Sequence, residues 1–246
     1  SDETGVNEAA TRPTTVKTRI MARHQQVARY DIEIEDDHEE HLSDQIVALI
    51  TKMAPNADAI VLQDYNKGVM VPPVVTTAIR VAHAAGTPIV VDPKFRSFFS
   101  YRGATVFKPN LQELSVVLRD EIHPENQAWL ARIRSELGCE NLLVTLGEDG
   151  MALSTSEGEY VRVPTVARSV YDVSGAGDTV IATLAVALAS GASVAEAAVM
   201  ANHAAGVEVS KAGVATVSPE ELREVVRDYH EHLKANDSNR ATIASA

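Results

Sequence analysis

The stretch DVSGAGD, from Asp172 to Asp178, places small residues and a carboxylate directly before an apolar, alanine-rich segment. Gly175, Ala176 and Gly177 carry no side chain larger than a methyl group, so another molecule can approach the backbone closely. If the apolar segment is a helix, its first N–H groups are free to bind an anion, and Asp178 lies in the first turn. The same residues also suit a tight turn in which Asp178 merely caps the helix. This stretch alone leaves both interpretations open.

Two other stretches and two lysines have residue types suited to phosphate chemistry. Thr145–Gly150 (TLGEDG) is a glycine turn whose backbone could approach the phosphates of a nucleotide. Asn110 and Glu113 are three residues apart on one face of a helical turn, which suits an outer-shell hold on hydrated Mg²⁺. The alternative is a helix cap in which Glu113 is the reciprocal partner of Asn110. Lys94 and Lys108 follow strand patterns and could reach phosphate, although in isolation each is more simply a solvated lysine.

Together these residue types fit phosphoryl transfer. That reaction needs positioned anion binders, a divalent metal and a group that accepts the proton of the acceptor hydroxyl. The N–H groups at Gly175–Gly177 would stabilise developing phosphate charge. Asp178, one residue further on, is close enough to act as the general base.

Composition and charge limit the classes to which the chain could belong. It has 246 residues, of which 45% are hydrophobic and only 4% aromatic, so aliphatic residues and alanine must fill the core. Its 22 basic and 34 acidic residues give a net charge of −12, which argues against broad binding of nucleic acid or anionic membranes. Cys139 is the only cysteine, which excludes a disulfide framework. No apolar run approaches the ~18 residues of a membrane span and no signal-peptide pattern is visible, so a cytoplasmic location is expected.

Hydrophobic periodicity predicts the elements that must position these residues. Residues 1–13 are polar and unpatterned, which predicts a disordered N-terminus. Residues 14–35 alternate apolar and polar side chains on either side of RHQQ, which predicts a lid-like β-hairpin. Helical and buried-strand patterns alternate over residues 36–234, which predicts an α/β core with a mostly parallel sheet and helices on both faces. Residues 235–246 are loop-like, which predicts a flexible tail.

Ligands of such sheets bind beyond the carboxyl ends of the strands. The stretches at those ends are LQDYNKG, VDPK, FKPNLQE, VTLGEDG and DVSGAGD, and all five carry polar or glycine residues. Because the carboxyl ends of parallel strands meet at one edge of a sheet, we expect a ligand site there.

In combination, the motifs resemble those of the PfkB, or ribokinase-like, family of carbohydrate kinases. DVSGAGDT resembles the family's C-terminal signature, NLQE its Asn-x-x-Glu motif, TLGEDG its nucleotide-phosphate loop, and ANHAAGVEVSKAGVATVSP the wall of its adenine pocket. The resemblance implies a ribokinase-like fold and a protein that uses ATP and Mg²⁺. It implies that Asp178 is the catalytic base and that Gly175, Ala176 and Gly177 form the anion hole. The nucleotide site that it implies consists of Asn110, Glu113, Thr145, Gly147, Gly150, Asn202 and Gly213, with Asn110 and Glu113 holding the metal through water.

Within that family, four stretches are very similar to the kinase module of heptose 7-phosphate kinases. They are TVKTRIMARHQQVARYDIE, LQDYNKGV, VDPKFRSFFSYRGAT and DVSGAGDTVIATLA. This similarity implies phosphoryl transfer to the C1 hydroxyl of D-glycero-β-D-manno-heptose 7-phosphate, on the route to the lipopolysaccharide core sugar. Asp64 and Lys67, in the second stretch, are the candidates for contacts with the sugar phosphate.

The resemblance also predicts how much of the family domain this chain contains and how two copies of it pair. The family's N-terminal part, with its glycine-pair motif, has no counterpart here, so this chain alone is expected to lack most sugar ligands and to be aggregation-prone. The hairpin of family members often pairs with its twin, which implies a homodimer. The alternatives are another PfkB-type sugar or nucleoside kinase and a non-catalytic chain that only binds nucleotide. A Rossmann dehydrogenase is disfavoured, since no GxGxxG follows the first strand.

Overall fold

The computed structural model describes residues 5–6, 12–22, 25–119, 121–167 and 170–229. The predicted disordered N-terminus (1–13) lies mostly outside these residues, and the predicted tail (235–246) lies wholly outside them. The proposed domain boundaries at both ends therefore stay predictions.

The chain forms two separate sheets. The first is an antiparallel hairpin of β1 (Val16–Ala22) and β2 (Gln25–Ile32), as the alternating pattern predicts. The second has six strands in chain order: β3 (Ile60–Gln63), β4 (Ile89–Asp92), β5 (Val106–Phe107), β6 (Asn141–Thr145), β7 (Met151–Ser154) and β8 (Tyr160–Val163). Strands β3 to β6 pair in parallel, whereas β7 and β8 continue the sheet antiparallel. The predicted α/β class with a mostly parallel sheet is confirmed.

Helices occupy the intervals that the sequence pattern predicts. They are α1 (Glu40–Met53), α2 (Pro72–Ala85), α3 (Leu111–Leu118), α4 (Gln127–Leu137), α5 (Ala176–Ala189), α6 (Val194–Glu208) and α7 (219–229). The helix α2 begins at prolines, which fit the first turn, and ends at Gly86, whose left-handed conformation favours glycine. None of the helices in the described part combines the length and the apolar character that a membrane crossing requires.

Side chains of the central strands alternate between two apolar layers. Val91 and Phe107 pack with α2, α3 and α4, whereas their neighbours Val90 and Val106 pack with α5 and α6. All four side chains are at most 1% exposed. The sheet is thus covered on both faces, and its polar strand ends are left as the places where a ligand can bind.

The hairpin has two different faces. Cross-strand pairing puts Val16 beside Ile32 and Ile20 beside Ala28 on one face, and Lys17 beside Asp31 on the other. The charged face carries ion pairs of Lys17 with Asp31 and Glu33. The apolar face is uncovered: Ile20 is 54% exposed.

The main sheet has an open edge. Among the described residues, β3 pairs only with β4. Beside β3 lies an apolar groove of about 610 Å³, lined by Leu42, Ile46 and Ile50 of α1 and by Val61 and Val69, among others. The expected aggregation through uncovered apolar surface has a structural basis in this edge.

Candidate active site

The DVSGAGD stretch forms the start of α5. Gly175 is the N-cap residue, with a left-handed φ of 99° that favours glycine, and no side chain caps the helix. Asp178 lies in the first turn, and its carboxylate contacts another part of the chain instead of the helix end. The structure therefore disfavours the interpretation of Asp178 as a simple cap. Among the described residues, the N–H groups of Gly175 and Gly177 have no backbone partner and are available for an anion, whereas the Ala176 N–H donates to the Val173 carbonyl at 3.3 Å.

Tyr65 holds the carboxylate of Asp178. The Tyr65 hydroxyl donates a hydrogen bond to Asp178 Oδ1 at 2.8 Å, which links the loop after β3 to the start of α5. Partial burial, reinforced by this hydrogen bond, raises the pKa of Tyr65 to about 12. The phenol therefore remains protonated and acts as a donor at neutral pH.

A buried ion pair lies beside Gly177. Lys108 Nζ is 3.1 Å from Asp92 Oδ1, and the amide of Gln63 donates to Asp92 Oδ2 at 2.8 Å. A Cβ atom added at Gly177 would lie 3.7 Å from Lys108 Nζ. Burial raises the pKa of Asp92, although Lys108 and Gln63 oppose that effect. An ammonium group is thus fixed close to the expected anion hole.

A cavity of about 730 Å³ opens on one side of the α5 start. Of the predicted residues, it is lined by Asn110, Thr145, Gly147, Gly150, Ala176, Gly177 and Asn202. Residues that the sequence did not single out, such as Met151, Val180 and Val209, give it apolar walls. An apolar cavity that ends in backbone N–H groups suits a base and its phosphates.

The two predicted glycines of this cavity have different roles. A side chain at Gly147 would meet nothing within 4 Å, so a ligand can approach there, as predicted. A Cβ atom at Gly150 would lie 2.1 Å from the carbonyl oxygen of Val163, so Gly150 is required by the packing of β7 against β8. Asn202 is buried and donates to the Pro164 carbonyl, which fixes the cavity wall.

Three predicted nucleotide residues do not line this cavity. Glu113 and Gly213 are outside its lining, and Lys94 lines a second cavity, which Tyr65 also lines. Lys94 is ion-paired with Glu113. It is therefore neither a free solvated lysine nor a wall of the nucleotide cavity.

Asn110 and Glu113 form the capping box that was the alternative interpretation. Asn110 Oδ1 accepts from the Glu113 N–H at 2.8 Å, and Glu113 Oε2 accepts from the Asn110 N–H at 2.9 Å. Lys94 binds Glu113 Oε1. Both carboxylate oxygens are therefore engaged, and no group of three or more metal-binding side chains occurs within the described ranges. Direct coordination of Mg²⁺ by Glu113 would break one of these bonds, so a metal ion here would have to be held through water.

The second cavity, of about 620 Å³, lies beneath the charged face of the hairpin. Lys17, Gln63, Tyr65, Lys67 and Lys94 are among its lining residues. Asp64, predicted to contact the sugar, is only 3% exposed, and its oxygens accept from the Asn66 N–H and the Tyr101 hydroxyl. Asp64 therefore fixes the conformation of the loop that follows β3. Lys67 Nζ is paired with Glu33 and Glu35, which ties this loop to the end of the hairpin.

Glu208, which the sequence analysis missed, is buried near the anion-hole loop. It is fully buried at the end of α6, and neither carboxylate oxygen has a hydrogen bond of normal geometry among the described residues. Burial raises the pKa of Glu208, the nearby Ala215 amide opposes this, and the carboxylates of Asp172 and Asp178 add to it. A lone acid in the apolar segment HAAGVEVS was the available sequence signal.

Tyr65 was also missed, and Lys108, expected as a solvated lysine that could reach phosphate, is instead buried and paired with Asp92. Both lie within the strand-end stretches LQDYNKG and FKPNLQE. Their partners are far away in sequence: Tyr65 and Asp178 are 113 residues apart. Strand-end position was therefore the only signal for these two residues.

Comparison with known proteins adds the family context. Residues 2–221 match the model for pfkB family carbohydrate kinases. The chain is 42% identical over 237 residues to the bifunctional protein HldE of Paramagnetospirillum magneticum, covering 96% of this chain and 48% of that protein. It is 45% identical over 210 residues to the bifunctional protein HldE of Halorhodospira halophila, covering 85% and 43%. The chain thus spans about half the length of the curated relatives it matches.

Solved structures share the architecture. Ribokinase from Arabidopsis thaliana, complexed with ribose and ATP, superposes with a TM-score of 0.64 at 20% identity, covering 80% of this chain and 65% of that one. Ribokinase from Giardia lamblia gives 0.68 at 20% identity, covering 90% and 73%. At such identities the likeness concerns the fold, and the expected ribokinase-like architecture is confirmed.

Proposed function

Because the chain belongs to the pfkB family of carbohydrate kinases, we propose that it transfers the terminal phosphoryl group of ATP to the C1 hydroxyl of D-glycero-β-D-manno-heptose 7-phosphate. The choice of sugar rests on the four stretches that are similar to heptose 7-phosphate kinases and on the relatives named HldE. Such a reaction belongs in the cytoplasm, where ATP is available.

One observation carries the kinase proposal: the chain neighbour and the hydrogen-bond partner of Asp178 line two different cavities. Its neighbour Gly177 lines the larger, partly apolar cavity, and its hydrogen-bond partner Tyr65 lines the cavity under the hairpin. ATP in the first cavity and the sugar in the second would meet at the start of α5. This arrangement supports an in-line transfer between two separately bound substrates.

Each residue then has a definite task. Asp178 accepts the proton of the sugar hydroxyl as the oxygen attacks the terminal phosphorus. The N–H groups at Gly175, Ala176 and Gly177 stabilise the charge that develops on the transferred group. Lys108, fixed beside Gly177, adds a positive charge nearby. Mg²⁺, held through water near Asn110 and Glu113, would neutralise charge on the phosphate oxygens when bound.

The exposed apolar face of the hairpin supports a homodimer. Val16, Ile20, Tyr30 and Ile32 lie on the face opposite to Lys17, which lines the sugar-side cavity. A second copy of the hairpin could cover these side chains while leaving the charged face over the sugar.

The decisive experiment measures sugar-dependent ADP release with heptose 7-phosphate, ribose and fructose 6-phosphate as acceptors. In a version of the protein that also carries the family's N-terminal part, we expect turnover with the heptose, and we expect Asp178→Asn to lower kcat by about 10²–10⁴ while nucleotide affinity by calorimetry stays nearly unchanged. Faster turnover of another sugar would support a different kinase of this family. Nucleotide binding without turnover of any acceptor would support the non-catalytic alternative.

A further inference from the structure

The loop that carries Tyr65 is held in a fixed shape. Asp64 Oδ1 accepts from the Asn66 N–H at 2.7 Å, and Asp64 Oδ2 accepts from the buried Tyr101 hydroxyl at 2.9 Å. Asn66 and Gly68 adopt left-handed conformations, with φ of 55° and 76°. A Cβ atom at Gly68 would lie 2.0 Å from the Asp36 carbonyl oxygen, so the loop packs directly on the chain that follows the hairpin.

The fixed loop brings the Tyr65 hydroxyl to one oxygen of the Asp178 carboxylate. The bond of 2.8 Å is made to Oδ1, and a donor to an ionised acceptor makes one of the stronger hydrogen bonds in proteins. Asp178 belongs to the first turn of α5, where its side chain has no capping bond to hold it. Tyr65 therefore fixes a carboxylate that its own helix does not fix.

We infer that Tyr65 is a positioning residue for phosphoryl transfer: it binds Asp178 Oδ1 and so turns Oδ2 toward the acceptor hydroxyl. This inference rests on the proposed function. With its pKa raised to about 12, the phenol keeps its proton and cannot take the proton of the sugar itself. Its ring, 54% exposed, faces the sugar-side cavity, so the same side chain borders the acceptor and holds the base.

The other charged groups around the α5 start do not duplicate this role. Lys108 is paired with Asp92, and Glu208 is an acid, which cannot donate to a carboxylate while ionised. Within the described residues, Tyr65 is the side chain shown donating to Asp178.

Tyr65→Phe tests the inference, because phenylalanine keeps the ring and removes only the donor. We expect kcat with heptose 7-phosphate to fall about 10- to 100-fold, the worth of a hydrogen bond to a charged group, while the KM for ATP and the melting temperature stay close to those of the wild type. Tyr160→Phe is the matched control. Its hydroxyl donates to the Pro124 carbonyl far from the site, so kcat should not change.

A double-mutant cycle separates an action through Asp178 from an action on the sugar. In the Asp178→Asn background, Tyr65→Phe should change kcat by less than about twofold, because the base that it positions is gone. An equal loss in both backgrounds, or full activity of Tyr65→Phe in the wild-type background, would overturn the inference alone. A wild-type protein without sugar-dependent ADP release would overturn the proposed function and this inference with it.

Discussion

At the scale of single residues, Glu113 has two tasks that can be separated. Its Oε2 completes the capping box at the start of α3, whereas its Oε1 binds Lys94 at the edge of the site. Glutamine can make the same capping bond but carries no charge. The structural task and the proposed metal task therefore respond differently to one substitution.

For Glu113→Gln we expect the Mg²⁺ concentration for half-maximal rate to rise about three- to tenfold, as for the loss of one charge-assisted contact through water. The capping bond survives, so thermal stability should fall only through the loss of the ion pair with Lys94. A Mg²⁺ titration of the rate and a thermal melt on the same variant provide both measurements. The control is Glu196→Gln, which alters the same kind of capping box at the start of α6, remote from the site. An unchanged Mg²⁺ requirement in Glu113→Gln would leave only the capping task.

At the scale of elements, the hairpin differs from the strand pairs of the main sheet because no helix of the described residues covers it. All residues of β1 are exposed, yet its sequence alternates as a half-buried strand does. Exposed apolar side chains in a row are costly in water, and an uncovered apolar face of this kind marks an interaction surface. The alternation itself is the reason to expect a second copy there.

Ile20→Asp should convert a dimer into a monomer, because a charge would be buried at the centre of the hairpin interface. Light scattering coupled to size-exclusion chromatography, at equal protein concentrations, measures the mass. Arg29→Gln, on the opposite face of the same hairpin, should leave the dimer intact. A monomeric wild type, or a dimeric Ile20→Asp variant, would show that the hairpin does not hold two copies together.

At the scale of the whole molecule, a buried carboxylate makes stability depend on pH. The folded protein raises the pKa of Glu208 above its ordinary value of 4.5, so the folded state binds the proton more tightly than the unfolded state. The contribution of Glu208 to the free energy of unfolding is therefore fully present below pH 4.5. It is lost as the pH rises through the raised pKa of the folded state. Above the raised pKa the ionised carboxylate opposes folding.

Glu208→Gln should accordingly raise the melting temperature at pH 8 and change it much less at pH 4.5. Glutamine keeps the shape of the side chain and removes the charge whose burial is unfavourable. Melts of wild type and variant across this pH range give the difference directly. Glu224→Gln, an exposed change in α7, should show no such trend. A variant that is less stable than the wild type at pH 8 would mean that the charge is compensated in the folded protein.

Much of the fold follows from local pattern. Alternation predicts β1 and β2, short apolar runs predict β3 to β6, and prolines and glycines mark the ends of helices such as α2. These features depend on side chains a few residues apart, so they can be identified without knowledge of the tertiary structure. The motif at Gly175–Asp178 was found for the same reason, since its glycines and its aspartate are adjacent in sequence.

Tertiary structure alone decided how the site is assembled. Asp64 and Lys94 stand at strand ends, as the pattern requires, yet Asp64 is bonded within its own loop and Lys94 is paired with Glu113. Tyr65 reaches Asp178 because the end of β3 and the start of α5 meet at one edge of the sheet. Sequence determined which residues stand at the edge. Only the packing of strands and helices determined which of them touch, because contacts between distant segments depend on the geometry of the whole sheet.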